Sequence, residues 1–519
     1  PLSGIFEDGG MSMKTIKLFL GYLIAIIMLY SCIDDEGNYD YTELKTVVIS
    51  NVSSNWSTPL GEEYVITPVI DYGGADSTEF VYAWVSEIQE EWSDTISREK
   101  VLRYTFKEIA RYMTVFIVEH VPTGSLTSKQ IDINTVSRYS TGWTILSEQN
   151  NKSILSYVRA EQAGENEITY NLFENIYTEL RGDDLGTGPI RLGRHFSSAS
   201  DEILVIQESG AVEISGLDFS KVITTKEEFV KKDYPSGFVP KQAEYGSRLE
   251  AILGTDGNLY TRINPNGSFQ VCQYNDVPAI SNAKIANMYY CAYLGYIYMY
   301  DELNHRMMGM YDSPQLYTEK IIYVSMHPDS THLPTFTPIN NMGEGTQVMY
   351  IDSYSVEGAS GRDFVQIIKK GSDYYFQTYK AAFPALGDAN LYVYGGKEEL
   401  FVGNGYVNDN SKYCMDGSSY FYFTAGNVLY YWDRVSKVEP YYTFPGGATI
   451  LDIERYAYED REEIAVGLDN GEFYILDASF EAMTGQKEKV LFKAENLGRV
   501  VDVQYKYGNS SNFNQQSRQ

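Results

Sequence analysis

The chain has 519 residues, enough for two or three domains, and its 70 acidic and 41 basic residues give a formal net charge of −29. Nucleic-acid binding requires a basic footprint, and the composition offers none, so this class of function is excluded. Tyrosine is abundant, with 46 residues, and aromatic residues make up 14% of the chain. This enrichment, together with 43 glycines, favours strands and turns and predicts an all-β protein.

The N-terminal segment has the pattern of an export signal. Lys14 and Lys17 precede an apolar run from Leu18 to Tyr30, which is too short to span a bilayer as a helix. A basic segment followed by a short apolar run is typical of a signal peptide. We therefore expect residues 1–31 to combine a start-site artefact, ahead of the first two methionines, with a signal peptide.

The signal ends in Leu-Tyr-Ser-Cys at Cys32, which resembles a bacterial lipobox. The resemblance implies that the Cys32 thiol is diacylated, and several acyl chains make a stable membrane anchor. Asp34, Asp35 and Glu36 follow, and this acidic run resembles the export signal of Bacteroidota that sends lipoproteins to the outer face of the outer membrane. Residues 32–45 are then a lipidated, acidic tether. The alternative is an ordinary signal peptide with an incidental cysteine.

Residues 46–137 carry short β-like runs separated by turn-rich stretches, which predicts a β-sandwich. The five runs are residues 46–52, 62–72, 80–88, 112–121 and 128–136. Tyr82-Ala83-Trp84 is similar to the Tyr-x-Trp of PKD and Ig-like domains, and the resemblance implies that Trp84 packs between the two sheets. Trp56 and Trp92 fall in polar segments expected to be loops. An exposed indole there binds a sugar ring or a partner's side chain, and the alternative is a half-buried lid.

Residues 142–507 repeat one unit: an apolar strand, a tight Gly or Asn turn, and an aromatic strand. Gly and Asn supply the positive φ that two-residue hairpin turns require. A recurrence of roughly 50 residues is the blade length of a β-propeller, and we predict seven or eight blades. The segment between residues 300 and 364 holds either an eighth hairpin or a large loop. The seven predicted hairpins are residues 143–158, 202–214, 251–262, 289–300, 364–379, 420–432 and 463–476.

The two ends of this region complement each other. Residues 499–507 have the pattern of an inner strand with no blade after it, whereas the first blade begins at Trp143 with no inner strand before it. We therefore expect the C-terminal strand to complete the first blade and close the ring, which leaves no open sheet edge. Residues 508–519 are polar, and we expect a disordered tail.

The whole arrangement resembles the PKD-like family of surface lipoproteins of Bacteroidota, in which a propeller-like region begins at a Gly-Trp, here Gly142-Trp143. The resemblance implies a non-catalytic accessory of a Sus-like nutrient uptake complex, anchored by lipid in the outer membrane and facing outward. Its partners would be a TonB-dependent, SusC-like transporter and a SusD-like lipoprotein. Its ligand would be a glycan or a peptide, unless the protein only docks on the transporter.

No catalytic, metal or cofactor signature stands out, so we predict none of the three. His120 ends a sandwich strand, the other four histidines fall in expected loops, and His327 and His332 lack zinc-site spacing. Two alternatives stay open. A propeller hydrolase or lyase acting on a polysaccharide would need two acids across its central face, and a surface adhesin would need no transporter.

Two further expectations concern buried side chains. Tyr296, Tyr298 and Tyr300 alternate along one strand, and we expect them to pack between blades, with a ligand-binding rim as the alternative. Cys272 and Cys291 either form a disulfide or, like Cys414, are buried free thiols, which is the state we expect.

Overall fold

The structure is a computed structural model, and the chain divides into two compact units between Thr135 and Val136. Among the helices it describes, none has the length and apolarity needed to cross a membrane. The predicted signal, Cys32, the acidic tether, Cys272 and the tail after Gly508 lie outside the described residues. The structure describes residues 46–88, 91–164, 167–195, 202–263, 273–292, 294–312, 321–328, 330–354, 362–382, 390–416, 419–458 and 461–508.

The first unit is the predicted β-sandwich. Its described strands are β1 Val48–Ser50, β2 Asn55–Pro59, β3 Glu63–Ile66, β4 Val69–Asp71, β5 Phe80–Ile88, β6 Glu91–Ser97, β7 Leu102–Thr105, β8 Arg111–His120 and β9 Ser125–Val136, with a 3-10 turn at Ser77–Glu79. A five-stranded sheet has the order β2-β9-β8-β5-β6, and the pairs β1-β4 and β3-β7 form two smaller sheets. Side chains from all three sheets meet in one apolar core.

Trp84 lies at the centre of this core, as predicted. Its side chain is 0% exposed, its ring stacks on Phe116 with centroids 4.3 Å apart, and its indole N–H donates to the Glu99 carbonyl at 3.0 Å. Strand β8 alternates buried and half-buried residues, because one face of the sheet packs on the core and the other does not.

The second unit is the predicted β-propeller. In its described part, two short helices and two 3-10 turns connect the strands. The strands are β10 Gly142–Gln149, β11 Lys152–Gly164, β12 Glu167–Phe173, β13 Pro189–His195, β14 Glu202–Gln207, β15 Val212–Ile214, β16 Lys221–Thr224, β17 Pro240–Tyr245, β18 Leu249–Gly254, β19 Leu259–Ile263, β20 Ile285–Cys291, β21 Tyr296–Asp301, β22 Arg306–Tyr311, β23 Ile321–Met326, β24 Thr346–Tyr354, β25 Arg362–Lys370, β26 Asp373–Ala381, β27 Asn390–Leu400, β28 Tyr413–Asp416, β29 Tyr420–Ala425, β30 Val428–Trp432, β31 Val438–Thr443, β32 Ile450–Tyr458, β33 Arg461–Leu468, β34 Phe473–Asp477, β35 Val490–Ala494 and β36 Arg499–Lys506; the helices are α1 Ile176–Arg181 and α2 Phe480–Met483, and the turns are Thr225–Glu228 and Pro445–Gly447.

Seven blades are described in these ranges. Blade 1 has the order β36-β10-β11-β12, and blades 2, 6 and 7 are β13 to β16, β28 to β31 and β32 to β35. Blade 3 has three described strands, β17 to β19. Blades 4 and 5, β20 to β23 and β24 to β27, form one eight-stranded sheet, because their outer strands β23 and β27 pair in parallel.

Strand β36 closes the ring, as predicted. It pairs antiparallel with β10 over seven residue pairs, from Gly142 with Lys506 to Glu148 with Arg499. Val500, Val503 and Tyr505 are buried in the same core as Trp143. The C-terminal strand thus covers an edge that the first blade would otherwise leave open.

The inner strands are β36, β13, β17, β20, β24, β28 and β32, the first strand of each blade in sheet order. They contact one another in sequence around the propeller axis, and β32 contacts β36 and β36 contacts β13. Between β24 and β28, the rings of Tyr350 and Tyr413 lie 5.8 Å apart.

All seven predicted hairpins are present, and their turn residues adopt positive φ, including Asn150, Gly210 and Gly471. The hairpin at residues 289–300 joins the first and second strands of its blade, whereas the others join the second and third. Strands β14, β18 and β21 are buried along their whole length, because neighbouring blades cover both of their faces. Tyr296, Tyr298 and Tyr300 are at most 1% exposed, which confirms packing between blades, and Cys291 and Cys414 are buried free thiols.

The described residues between 300 and 364 contain strands β22, β23 and β24, which complete blade 4 and begin blade 5. The described residues between Met326 and Thr346 form no strand, so the large loop is correct and the eighth hairpin is not. Three sequence-based placements are wrong, those of Trp56, Trp92 and His195. Trp56 and Trp92 lie on β2 and β6, the two edge strands of the five-stranded sheet, and not in loops. His195, expected in a loop, is the last residue of β13.

Candidate functional site

The central face of the propeller is built by the inner strands, each of which pairs on one side with its own blade. The other edge of each inner strand has no partner strand in its blade, so its backbone N–H and C=O groups need partners from elsewhere. Side chains of neighbouring inner strands supply them. The Asp502 carboxylate accepts from the Leu192 N–H at 2.7 Å, and Gln242 both donates to the Met288 carbonyl at 2.7 Å and accepts from its N–H at 3.1 Å.

The same arrangement continues around the ring. Asn287 Nδ2 donates to the Val348 carbonyl at 2.7 Å, and Lys241 Nζ donates to the Ala286 carbonyl at 2.6 Å. These bonds join β17 to β20 and β20 to β24. Polar side chains on the central face therefore fasten one blade to the next.

A carboxyl pair occupies the arc where the ring closes. Asp452 on β32 accepts from the Val503 N–H at 3.0 Å, next to Asp502 on β36. Burial and the neighbouring Asp452 raise the pKa of Asp502 well above its usual range, against the opposing charge of Arg191. Two neighbouring carboxyls, one of them with a raised pKa, are the kind of pair that acid–base chemistry on a glycosidic bond employs. Here both carboxyls also accept hydrogen bonds from backbone N–H groups of adjacent inner strands.

Glu454 and Arg194 flank this pair. Glu454 accepts from the Tyr505 N–H at 3.2 Å and forms an ion pair with Arg194, whose Nε donates to the Tyr505 carbonyl at 3.2 Å. The side chains of Glu454 on β32 and Arg194 on β13 thus bind the backbone of β36 between them.

A further carboxyl of the inner strands is that of Asp352 on β24. The Asp352 carboxylate accepts from the Tyr350 hydroxyl at 2.5 Å, from the Tyr289 hydroxyl at 3.1 Å and from the Ser353 N–H at 2.7 Å. Burial raises the pKa of Asp352, although these three hydrogen bonds favour the charged form. Tyr289 belongs to β20, so this carboxylate also joins two blades.

The predicted binding residues lie in the sandwich unit. Trp56 is half-buried, its ring meets Tyr64 edge-on at 5.9 Å, and its indole N–H donates to the Ser53 carbonyl at 2.9 Å. Trp92 lies on β6, opposite Glu87 on β5. Their role as ligand platforms stays a prediction, as do Cys32 and the acidic residues Asp34, Asp35 and Glu36, which are outside the described residues.

Sequence reasoning missed the carboxyls of the central face, although a signal for two of them exists. Asp452 and Asp502 each stand between apolar residues near the start of an inner strand, in Leu451-Asp452-Ile453 and Val501-Asp502-Val503. An acidic residue that recurs at the same position of a repeated strand indicates a common structural role. Here each carboxylate accepts a hydrogen bond from the backbone of the next inner strand.

A buried group of charged residues in blades 2 and 3 was also missed. His195, Glu202 and Glu213 each place one nitrogen or oxygen atom within 4.8 Å of the others, and all three side chains are buried. Among the described residues, they form a group whose geometry could hold a metal ion. They come from three different strands and have no recognisable sequence spacing.

Comparisons with solved structures found distant similarities. A quinonprotein alcohol dehydrogenase-like protein from Bacteroides thetaiotaomicron aligns over 88% of this chain and 97% of its own, at 11% identity and a TM-score of 0.40. A protein of unknown function from the same organism aligns over 82% of this chain and 96% of its own, at 14% identity and a TM-score of 0.31. The propeller assignment rests on the sheet order and the closing strand, not on these alignments. No curated protein matches the chain.

A family model described as the PKD-like family matches residues 32–189. The match begins at Cys32, runs through the sandwich and the described strands β10 to β12, and ends where blade 2 begins. The N-terminal part of this chain is thus similar to the PKD-like family over a segment that includes both the sandwich and the first blade.

Proposed function

We propose that the protein is a surface-exposed outer-membrane lipoprotein and a non-catalytic accessory of a Sus-like nutrient uptake complex. Its sandwich acts as a spacer above the membrane, and its propeller binds a glycan or peptide or docks on the transporter. The observation that carries the proposal is the start of the PKD-like family match at Cys32, the residue that the lipobox resemblance gives as lipidated. The acidic run that follows Cys32 supports export to the cell surface.

The central face supports a binding or docking role over catalysis. The carboxyls of Asp452, Asp502 and Asp352 each accept hydrogen bonds from neighbouring inner strands, so they have a structural task in the ring. Closed propellers present a rigid face on which a ligand or partner is held without rearrangement, which lowers the entropic cost of association.

Cell fractionation and protease accessibility test the lipid anchor and the surface-export signal separately. With Cys32→Ser, we expect at least a tenfold loss of the protein from the outer-membrane fraction, because the acyl chains are its anchor. With Asp34→Ala, Asp35→Ala and Glu36→Ala combined, we expect the protein to stay in the membrane fraction but to become resistant to protease added outside intact cells.

Cys414→Ser is the matched control, since it removes a cysteine that has no part in the signal, and its fractionation should equal that of the wild type. An unchanged membrane fraction for Cys32→Ser would contradict lipid anchoring. Surface exposure of the triple variant would contradict the role of the acidic run.

A pull-down of tagged protein from native outer membranes in mild detergent tests the partners. We expect stoichiometric recovery of a TonB-dependent transporter and a SusD-like lipoprotein. Recovery of the lipoprotein alone would contradict the accessory role and would favour a surface adhesin.

The Asp452–Asp502 pair favours one second candidate, a propeller hydrolase or lyase acting on a polysaccharide. Incubation of the purified protein with a panel of polysaccharides decides between the two. Cleavage by the wild type that Asp502→Asn abolishes would establish the enzyme, whereas binding without cleavage would support the accessory.

A further inference from the structure

A buried cluster of charged side chains joins blades 2 and 3, and we name it the His195 cluster. Its members are His195 at the end of β13, Glu202 at the start of β14, Glu213 on β15, Glu250 on β18 and Arg262 on β19. None of these residues is more than 7% exposed. Burying charged side chains costs free energy unless each charge has a partner of opposite sign. The balance of charges in this cluster is therefore informative.

The distances around His195 Nδ1 fit a metal ion. Nδ1 lies 3.4 Å from Glu213 Oε1 and 3.6 Å from Glu202 Oε2. Both separations exceed the usual N–H···O hydrogen-bond length of about 2.9 Å. Ligand atoms about 2.1 Å from a tetrahedral ion stand roughly 3.4 Å apart, which is the spacing found here.

The other side of the imidazole has the partner that metal-bound histidines usually have. Nε2 lies 3.0 Å from Glu250 Oε1, and Glu250 in turn is held by Arg262. The His195 ring also stacks on Tyr245, with centroids 4.1 Å apart. A carboxylate on the far ring nitrogen fixes the tautomer and directs Nδ1 toward a metal.

Glu213 provides an independent observation. Its side chain is 0% exposed, the Tyr245 hydroxyl donates to Oε1 at 2.8 Å, and Oε2 has no hydrogen-bond partner among the described residues. A carboxylate oxygen buried without a partner carries a large desolvation cost. A cation next to it would remove that cost.

The cluster and its surroundings also contain more negative than positive charge. Four carboxylates, those of Glu202, Glu213, Glu250 and the neighbouring Glu228, lie against one guanidinium and one imidazole. If all four carboxyls are ionised and the imidazole is neutral, the sum of their charges and the Arg262 charge is −3, and a divalent cation reduces it to −1.

We propose that His195 Nδ1, Glu202 and Glu213 bind a divalent transition-metal ion such as Zn²⁺. The ion cross-links three consecutive strands of blade 2 and, through Glu250, fastens them to blade 3. One nitrogen and two carboxylate ligands suit Zn²⁺ better than Ca²⁺ or Mg²⁺, which prefer oxygen ligands alone. The site is structural, because it is closed off from solvent on the described sides, and it is independent of the function proposed above.

The rival explanation is an ion-free cluster around a protonated imidazole. Burial lowers the pKa of His195, but the carboxylates of Glu213 and Glu250 raise it to about 10, so a protonated ring is the alternative source of positive charge. The two explanations differ in metal content, which is measurable directly.

The test uses the full-length protein, stripped by chelator dialysis and then titrated with Zn²⁺ in a buffer that fixes the free concentration. We expect one equivalent of Zn²⁺ by elemental analysis, a higher Tm with the ion bound, and the intense visible bands of a tetrahedral site when Co²⁺ replaces Zn²⁺. Glu202→Gln and Glu213→Gln should each weaken Zn²⁺ binding at least tenfold.

Glu228→Gln is the matched control, because it replaces a carboxyl next to the His195 cluster without touching a ligand, and its Zn²⁺ affinity should stay within threefold of the wild type. A wild-type protein that takes up no Zn²⁺ would overturn the proposal, and so would Glu202→Gln and Glu213→Gln variants that bind like the wild type. If these variants fail to fold, the Zn²⁺ content and Co²⁺ spectrum of the wild type decide the question.

Discussion

Single polar side chains determine how the inner strands of this propeller meet. Asp502, Gln242 and Asn287 each bind the backbone of the adjacent inner strand at 2.7 Å. Such bonds satisfy N–H and C=O groups that no strand within the same blade reaches. A carboxyl on the central face is therefore first a structural partner, and its acid–base properties follow from the burial that this role requires.

Asp502→Asn tests this view at the level of one residue. The pKa of Asp502 is raised in the folded protein, so its contribution to stability is fully present below the ordinary Asp value of 3.8 and is lost as the pH rises through the folded pKa. Asn keeps an oxygen for the Leu192 N–H and has no charge to bury. We expect the Tm of Asp502→Asn to exceed that of the wild type by a few degrees at pH 8, and the difference to shrink toward pH 4.

Calorimetry at several pH values measures this difference. Glu488→Gln removes the same formal charge from an exposed position and should show no such pH-dependent difference from the wild type. A lower Tm for Asp502→Asn at every pH would mean that the charged carboxylate, and not the neutral one, stabilises the ring.

At the level of elements, burial distinguishes the strands within a blade. In blade 2, β14 is buried at all six positions, whereas the outer strand β16 is exposed or half-buried at all four. The central strand pairs on both edges and has a blade on each face, but the outer strand has one unpaired edge. Local opening should therefore begin at the outer strands.

Hydrogen exchange read by mass spectrometry tests this order. We expect amides of β14 to exchange at least roughly tenfold more slowly than those of β16, because their opening needs separation of the blades. The same peptides in denaturant serve as the control for intrinsic exchange rates. Equal protection of the two strands would contradict the order.

The whole molecule depends on one long-range pairing. Strand β36 belongs to blade 1 but lies at the other end of the propeller sequence, and Trp143 Nε1 also donates to Glu463 Oε2 in blade 7 at 2.9 Å. Blades 1 and 7 are thus joined by a strand and by a buried hydrogen bond. Closure of a ring in this way removes the free edges that would otherwise pair with other chains.

Truncation tests the closure. Deletion of residues 499–519 should lower the Tm of the propeller by about 10 °C or more and cause aggregation, since each large buried side chain that is lost costs about 2–5 kcal/mol. Deletion of residues 509–519, which spares β36, is the control and should leave the Tm unchanged. Scanning calorimetry and size-exclusion chromatography report both effects, and a stable monomer after the longer deletion would refute the closure.

The sequence by itself determined the blades, because hairpin turns and strand alternation are local. Glycine favours the positive φ found at turn residues such as Gly210 and Gly471, so the residue type alone predicts these turns. The unmatched strand at residues 499–507 predicts the closure of the ring in the same way. The tyrosines at 296, 298 and 300 were predicted as core for the same reason: their alternation fits a strand covered on its faces.

Only the tertiary structure decided which polar residues meet. His195 and Glu250 are 55 residues apart in sequence, and their contact exists because blades 2 and 3 pack side by side. The sequence predicts loops for the edge strands that carry Trp56 and Trp92, since a short strand with few apolar residues has no strong local pattern. Contacts between blades depend on the packing of whole sheets, and no local pattern in the chain encodes that packing.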